Sequence, residues 1–545
     1  MPGVTYEQQV RLVSGSGVVL HVVRAPRHGG LHAVRPVLSD GTVLGTRTVP
    51  EMQRAESKRA TTVAVNGDFS NWVTGRPSGV FQRDGVLSTE PLPQRAALGI
   101  AFDGRLLIER LRLRGRWWGV SGVRQKLHYL NRAFEDPGVA LFTRTWGGPT
   151  PRGKKVVEVV VTGFPKTLPN GDLAGTVALV RRGGGNGVPP GAVILQARGA
   201  DRALLRREAV PGETLTVRLG LPGLPPDVAD LIGGGPELVR DGKPLHSTDE
   251  WFTLDHLGSR HPRTAVGQLA DGRVLLVVAD GRSTRSAGLT IGALARILVD
   301  LGAVRAISLD GGGSSIVSFE GRVLNRPSDG VPRREPNALM VFYYGIYAPP
   351  VPRKVVSPNG DGAADATVVS AKLVRRSSVD IRLLRPDGSV AWRHRGTAGR
   401  GWIKREVGRK GMQEGRWRWV AEAVDLSNGR ESRMARAFTV NKTIGHLRLS
   451  KERMRVKKRR GGRLSASVAV TRPARLVVTV GKSSGRRVLF RGDAKPGVRS
   501  WRWDGRNRHG AVVPSGRYTV RVEARNGLGA VALSKPVRVV RVPTR

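Results

Sequence analysis

The sequence predicts an α/β domain of mixed sheets with few helices over residues 5–345, followed by two all-β Ig-like sandwiches at 346–443 and 444–545. Three observations carry this. A chain of 545 residues exceeds one ordinary core and calls for several domains. Up to about residue 345, short apolar runs bounded by Gly and Asp turns enclose one clear helical period. Beyond the Pro-rich stretch APPVPRK, only alternating strands and tight turns (PDG, SNG, VPSG) remain.

Taken in order, residues 17–23, 61–65, 97–102 and 106–111 read as strands. The strand at 62–65 runs into Asn66-Gly67-Asp68-Phe69, which serves either as turn chemistry or to project an amide and a carboxylate into a cleft. Residues 116–230 continue as strands and glycine-rich loops with little pointed chemistry. The glycine triplet in LIGGGPELVRDGK (231–243) sets backbone geometry or one wall of a pocket.

The richest region is 261–342. Strands at 263–268 and 273–279 meet at Ala270-Asp271-Gly272, and the second ends in Asp280-Gly281-Arg282. Residues 290–301 place apolar side chains at 291, 294, 298 and 301, a helical spacing that Thr290 caps and Gly302 ends. The strand at 304–310 then delivers Asp310 into Gly311-Gly312-Gly313-Ser314-Ser315. This strand–helix–strand unit puts Asp280 and Asp310 at the C-terminal ends of two strands facing one cleft. A glycine loop of this kind can turn backbone N–H groups toward an anion.

Composition bounds the function. The chain has no cysteine, which excludes disulfides, thiolate nucleophiles and Cys-ligated metals. No run is apolar and long enough to cross a bilayer, and no secretory leader is visible at the N-terminus. The formal charge is +48, and residues 441–545 hold 28 Lys/Arg against 4 Asp/Glu, a surplus of 24. Such a surface should associate with polyanions, including anionic cell-wall polymers. No helix-turn-helix, zinc-finger or aromatic stacking motif accompanies the charge, which argues against sequence-specific nucleic-acid recognition.

The motifs VNGDFS, PSGVFQRDGVL, IGGGPELVRDG, HPRTAVG, VADGRS and SLDGGGSS, in that order, resemble the phosphodiester glycosidase family over roughly residues 5–345. The resemblance implies a hydrolase that cleaves the sugar–phosphate bond of a sugar-1-phosphodiester such as N-acetylglucosamine-1-phosphodiester. Carried over motif by motif, it implies catalytic roles for Asp310, Asp68 and Asp280. It implies substrate contacts from Asn66, Gly67, Arg263, Thr264, Arg282, Gly311, Gly312, Gly313 and Ser314. Asp68-Phe69-Ser70 departs from the family's usual pattern at that segment, which bears on substrate shape. The tail, with VVSPNGDGAADAT and WDGRNRHGAVVPSGRYTVRVEA, resembles the Ig-like domain of flagellar hook-capping proteins. Modules of that type imply an exported, envelope-associated protein whose leader this sequence does not show.

The chemistry such a bond demands is modest. A phosphate monoester is already a good leaving group, so the site needs donors for the phosphate and a carboxylate facing the anomeric carbon. Arg263 and Arg282 fit the first need; Asp310 or Asp68 fits the second, as water activator or electrostatic stabiliser. No cofactor is required. Calcium is the one candidate ion, either between the strand-end carboxylates Asp280 and Asp310 or on Asn359, Asp361 and Asp365 of the SPNGDG turn. The expected partners are an anionic glycopolymer or sugar-phosphodiester substrate. The competing reading is a non-catalytic polyanion-binding surface protein that keeps the fold.

Overall fold

The computed structural model describes residues 1–542 except 72, 154, 246–248, 409–410, 458–460 and 483–484. It divides into two compact units, Met1–Tyr344 and Gly345–Arg545.

The first unit is mostly β. Its seven-stranded sheet runs, edge to edge, Thr5–Val13, Ser16–Ala25, Val274–Ala279, Arg263–Leu269, Ala303–Leu309, Glu237–Arg240 and Lys243–Pro244, every neighbour antiparallel. Val274–Ala279 and Ala303–Leu309 therefore run the same way with Arg263–Leu269 between them. The helix Ile291–Asp300 crosses from one to the other. Thr290 caps it by accepting the Ala293 N–H, and Gly302 at φ +93° lets the chain leave it. Its apolar face (Ile291, Leu294, Leu298) packs on Ala265, Leu275 and Val277 of the sheet.

A second sheet orders Arg322–Val323, Val317–Phe319, Thr61–Asn66, Asn337–Tyr343 and His32–Leu38. It shares a core with the first sheet and with a third five-stranded sheet: Val65, Leu339, Leu98, Ile232, Leu276 and Leu309 are all buried together. Strands buried on both faces read as unbroken apolar runs, which is why TTVAVN and VLLVVA do not alternate. The eight-stranded sheet from Arg114 to Gly220 has its own core around Trp117, Val159, Leu195 and Leu215. The helices Val49–Glu56 and Asp201–Glu208 are too short for the periodicity to stand out. Thr48 and Glu51 nevertheless form a reciprocal capping box on the first.

The second unit contains two β-sandwiches. One packs a five-stranded sheet against the pair Thr367–Leu373 and Gly401–Val407; the other packs a three-stranded sheet against a five-stranded one. The SPNGDG turn seats on the second sandwich through Ser357, whose hydroxyl donates to the Ile444 carbonyl at 3.1 Å.

The carboxylates named as calcium ligands in this turn are engaged by backbone N–H groups. The Asp365 carboxylate accepts the N–H groups of Asn359, Gly360 and Gly362 at 2.7–3.1 Å, and Asp361 accepts those of Ala363 and His446. The oxygens are filled by the backbone, and no cluster of three or more His, Asp or Glu suited to a metal occurs among the described residues. Asp365→Ala should therefore destabilise this unit by about 2 kcal/mol, read by denaturant unfolding. Added calcium should leave the wild-type midpoint where it is.

Candidate functional site

The site forms where the ends of two sheets are stitched together. Asn66, at the end of Thr61–Asn66 and fully buried, donates to the Asp310 carbonyl at 2.7 Å. Its side-chain oxygen accepts the Thr264 hydroxyl at 2.8 Å and the Ile316 N–H at 3.2 Å. The Asp310 N–H reaches the Gly67 carbonyl at 3.0 Å, and the Gly67 N–H reaches the Asn337 carbonyl at 3.2 Å. Asn66 and Thr264 thus tie the two strand ends together, their side-chain polar atoms spent on one another and on the backbone.

Asp68 is 1% exposed and tightly held. It accepts the Phe69 N–H at 2.8 Å and the Gly79 N–H at 2.6 Å, while its own N–H donates to the Asn337 side chain at 2.8 Å. A Cβ on Gly233 would come within 2.4 Å of its carboxyl, so the first glycine of the triplet is there for close approach. Burial pushes the Asp68 carboxyl up to about 7; the Gly79 N–H and Arg95 pull against that, and the Asp310 charge adds to it.

Asp310 keeps some exposure. It accepts the Gly311 N–H at 2.8 Å and the Ser314 hydroxyl at 2.7 Å. Burial raises its carboxyl to about 6 against the Ser314 and Gly311 hydrogen bonds and the charges of Arg333 and Arg95. Glu335 is 2% exposed, and its Oε1 has no hydrogen-bond partner among the described residues. Burial and the Asp310 charge carry it to about 8. Three carboxyl groups thus share one buried, mutually repelling neighbourhood, a pattern that marks functional sites.

Cations and rings surround them. The Arg95 guanidinium lies 4.9 Å from the Phe69 ring centroid and 4.3 Å from that of Phe252, within electrostatic reach of Asp68 and Asp310. His256 stacks on Phe252 at 4.8 Å and is held neutral, its pKa driven down to about 4 by burial and by Arg263 and Arg95. Arg333 points one guanidinium nitrogen at the Ser314 hydroxyl, 3.5 Å away.

The arginines expected to grip a phosphate divide into different jobs. Arg263 is 1% exposed and donates to the carbonyls of Leu289, His256 and Ser259 at 2.6–3.0 Å. It laces the 256–259 and 289 segments together, and burial beside Arg282 brings its pKa down to about 10. Arg282 is exposed, sits at φ +56°, and lies 3.1 Å from the His261 ring nitrogen. A Cβ on Gly312 would be 3.3 Å from its guanidinium, so it stands directly over the glycine loop. A bulky residue at positive φ is uncommon and costs backbone energy.

Two expectations are corrected. Asp280 does not join the carboxyl cluster: its oxygens take His21 Nε2 at 3.2 Å, the Asn325 amide at 3.3 Å and the Arg326 N–H at 3.1 Å. Behind it, the Tyr6 hydroxyl meets His21 Nδ1 at 2.9 Å. Asp280 is a buried tether for the 325–326 loop. The glycine loop is also no open cradle of N–H donors. Gly311 N–H goes to Asp310, Gly312 N–H to the Pro262 carbonyl at 2.9 Å, and those of Ser314 and Ser315 back into the loop's own turn. Gly313 is needed for clearance: a Cβ there would sit 2.0 Å from the Arg333 guanidinium.

Arg95, Phe252, His256 and Glu335 were not legible as site residues. Only Glu335 carried a local signal, an acid inside the RREPN stretch that also supplies Asn337.

Residues 170–342 match the family model described as phosphodiester glycosidase, and residues 455–527 match that of the FlgD Ig-like domain. The chain therefore carries a domain of the first family and an Ig-like domain of the second. Arg263, Arg282, Asp310 and Glu335 lie inside the first match; Asp68 and Arg95 lie before it. The SPβ prophage-derived protein YomE of Bacillus subtilis strain 168 is 40% identical over 106 residues, 19% of this chain and 16% of that protein. A Synechocystis protein of solved structure aligns with a TM-score of 0.52 at 25% identity over 63% of this chain and 62% of its own. This chain thus spans less than two thirds of either relative. The zebrafish N-acetylglucosamine-1-phosphodiester α-N-acetylglucosaminidase catalytic domain, auto-inhibited by its propeptide, aligns at 17% identity over 62% of this chain and 83% of its own, with a TM-score of 0.34.

Proposed function

We propose that this protein hydrolyses the bond between the anomeric carbon of a sugar and the phosphate of a sugar-1-phosphodiester, of the N-acetylglucosamine-1-phosphodiester kind, in an extracellular or cell-envelope glycopolymer. The observation that carries the reading is the buried carboxyl cluster of Asp68, Asp310 and Glu335 beside the guanidinium groups of Arg95, Arg282 and Arg333. The family match supports a hydrolase of this class.

In this reading the C1–O bond to phosphate breaks, its electron pair leaves with the phosphate monoester, and water adds at C1. Arg282, over the glycine loop, takes the phosphate oxygens. Arg263 beneath it holds the loops that position Arg282. Asp310, ionised above about pH 6, presents negative charge to the oxocarbenium-like centre and receives the water proton. Burial and the Asp310 charge raise the Glu335 carboxyl, which favours one negative charge on the two groups over two. Phe69, Phe252 and His256 give the sugar ring an apolar face to lie on.

The direct test is release of free sugar from an N-acetylglucosamine-1-phosphodiester of a simple alcohol. Absence of turnover with the fold intact would leave the non-catalytic, polyanion-binding reading. Arg282→Lys keeps the charge and loses the planar fork, so KM should rise about tenfold while the melting temperature is unchanged. An unchanged KM would remove Arg282 from the phosphate site. No helix among the described residues is long and apolar enough to cross a membrane. The appended Ig-like modules support placement at the envelope.

A further inference from the structure

The five-stranded sheet of the C-terminal sandwich carries an arrangement that costs stability. In its order Arg453–Lys457, Gly529–Val542, Gly516–Asn526, Ala474–Lys482, Gly485–Ala494, the register sets Arg453 opposite Arg538 and Arg538 opposite Arg517. All three are exposed on one face, since Met454, Val537, Val539 and Tyr518 turn inward. Three like charges lie in one row across strands about 4.8 Å apart, and like charges directly opposite are destabilising. A second like pair, Arg475 opposite Arg525, lies on the same face.

Glu452 lies beside the row and forms no ion pair with it among the described residues, and two other acids of this sandwich pair with other arginines. Glu523 pairs with Arg521 and Arg525, and Asp504 pairs with Arg487. No ion pair to Arg453, Arg517 or Arg538 occurs among the described residues. A groove of about 630 Å³ opens beside the row, lined by Leu449, Glu452, Arg517, Lys535, Pro536 and Arg538.

We propose that this face is a docking surface for a flexible polyanion whose charges are phosphodiesters, the polymer that carries the bond cleaved in the first unit. The inference rests on the hydrolase reading for the identity of the polymer. Charge complementarity supplies the attraction. The outward side chains of the described strands include no aromatic ring on which bases could stack, which favours a flexible phosphodiester polymer over single-stranded nucleic acid. Holding the polymer here raises its concentration at the cleft without any new catalytic contact.

The test uses the full chain with Asp310→Asn, so that binding is read without hydrolysis, and poly(glycerol phosphate) as the probe in titration calorimetry. Arg453→Gln, Arg517→Gln and Arg538→Gln combined should weaken binding at least about 30-fold and flatten the slope of log affinity on log salt by about 2. The control Arg463→Gln, Lys495→Gln and Arg502→Gln removes the same charge away from this face and should weaken it less than about threefold. With Asp310 restored and a polymer of N-acetylglucosamine-1-phosphate units as substrate, the first triple should slow release of free sugar while turnover of a small sugar-1-phosphodiester stays unchanged. Equal losses in both triples, absence of binding, or tighter binding of duplex DNA or anionic lipid vesicles would each overturn the proposal. Failure of the small-diester assay with polymer binding intact would instead strike the hydrolase reading alone.

Discussion

Asp310→Asn is expected to lower turnover of a sugar-1-phosphodiester by about 10²-fold or more and to leave the fold intact. The substitution suits this position because the Asn oxygen can keep the Gly311 N–H while its amide donates to the Ser314 hydroxyl. Asp68→Asn is a poorer probe. Both Asp68 oxygens accept backbone N–H groups, so an amide there must face a donor with a donor. The same variant carries a stability signature. Asp68, Asp310 and Glu335 are raised to about 7, 6 and 8, above their unfolded values, so the native state binds more protons than the unfolded state between about pH 4 and 8. Their favourable contribution is complete below the unfolded pKa and is lost as pH rises through the folded one. Removing the Asp310 charge should therefore change stability little near pH 4.5 and raise it by about 1–3 kcal/mol at pH 8. It should also shift the titrations of Asp68 and Glu335 downward, since the Asp310 charge pushes both up. Thermal melts at the two pH values decide it: a variant less stable than wild type at pH 8 contradicts the buried-charge account, and full activity removes Asp310 from the chemistry.

Gly67→Ala should be strongly destabilising to the first unit. A Cβ there would sit 1.9 Å from Asn337 Oδ1 and 2.9 Å from Ile232 Cδ1. Asn337 is fully buried and its Oδ1 accepts the Asp68 N–H, so it cannot withdraw without breaking the bond that orients Asp68. Overpacking and the lost hydrogen bond together should cost about 3–5 kcal/mol. Activity should fall further than stability alone explains. Gly171→Ala, which meets nothing within 4 Å, is the matched control and should change stability by less than about 0.5 kcal/mol. Comparable losses in both would show that the clearance around Asn337 is not the cause.

The strands, turns and the capped helix at 291–300 were legible because their signals are local. Apolar runs, Gly and Asp punctuation and a Thr cap act over fewer than about a dozen residues. The motif order, too, brought Asp68, Asp310 and Arg282 forward together. Asp280 and Asp310 could not be told apart on those terms. Each ends a strand, each precedes glycine, and the two strands run the same way to one edge. What separates them is His21 and Asn325, which fold in behind Asp280 from 259 and 45 residues away and occupy its oxygens.

By itself, the sequence determined a first domain of mixed sheets with few helices, which it classed as α/β and which is mostly β, together with the Ig-like tail, the motif-bearing carboxylates and the concentration of positive charge at the C-terminal end. Those follow from side-chain period, turn chemistry and composition. Only the tertiary structure decided which carboxylates share a cluster and that Arg263 braces loops while Arg282 stands over the glycine turn. It alone brought Arg95 and Glu335 to Asp310. Desolvation and charge–charge repulsion depend on what is packed within a few ångströms, and chain order does not fix those neighbours.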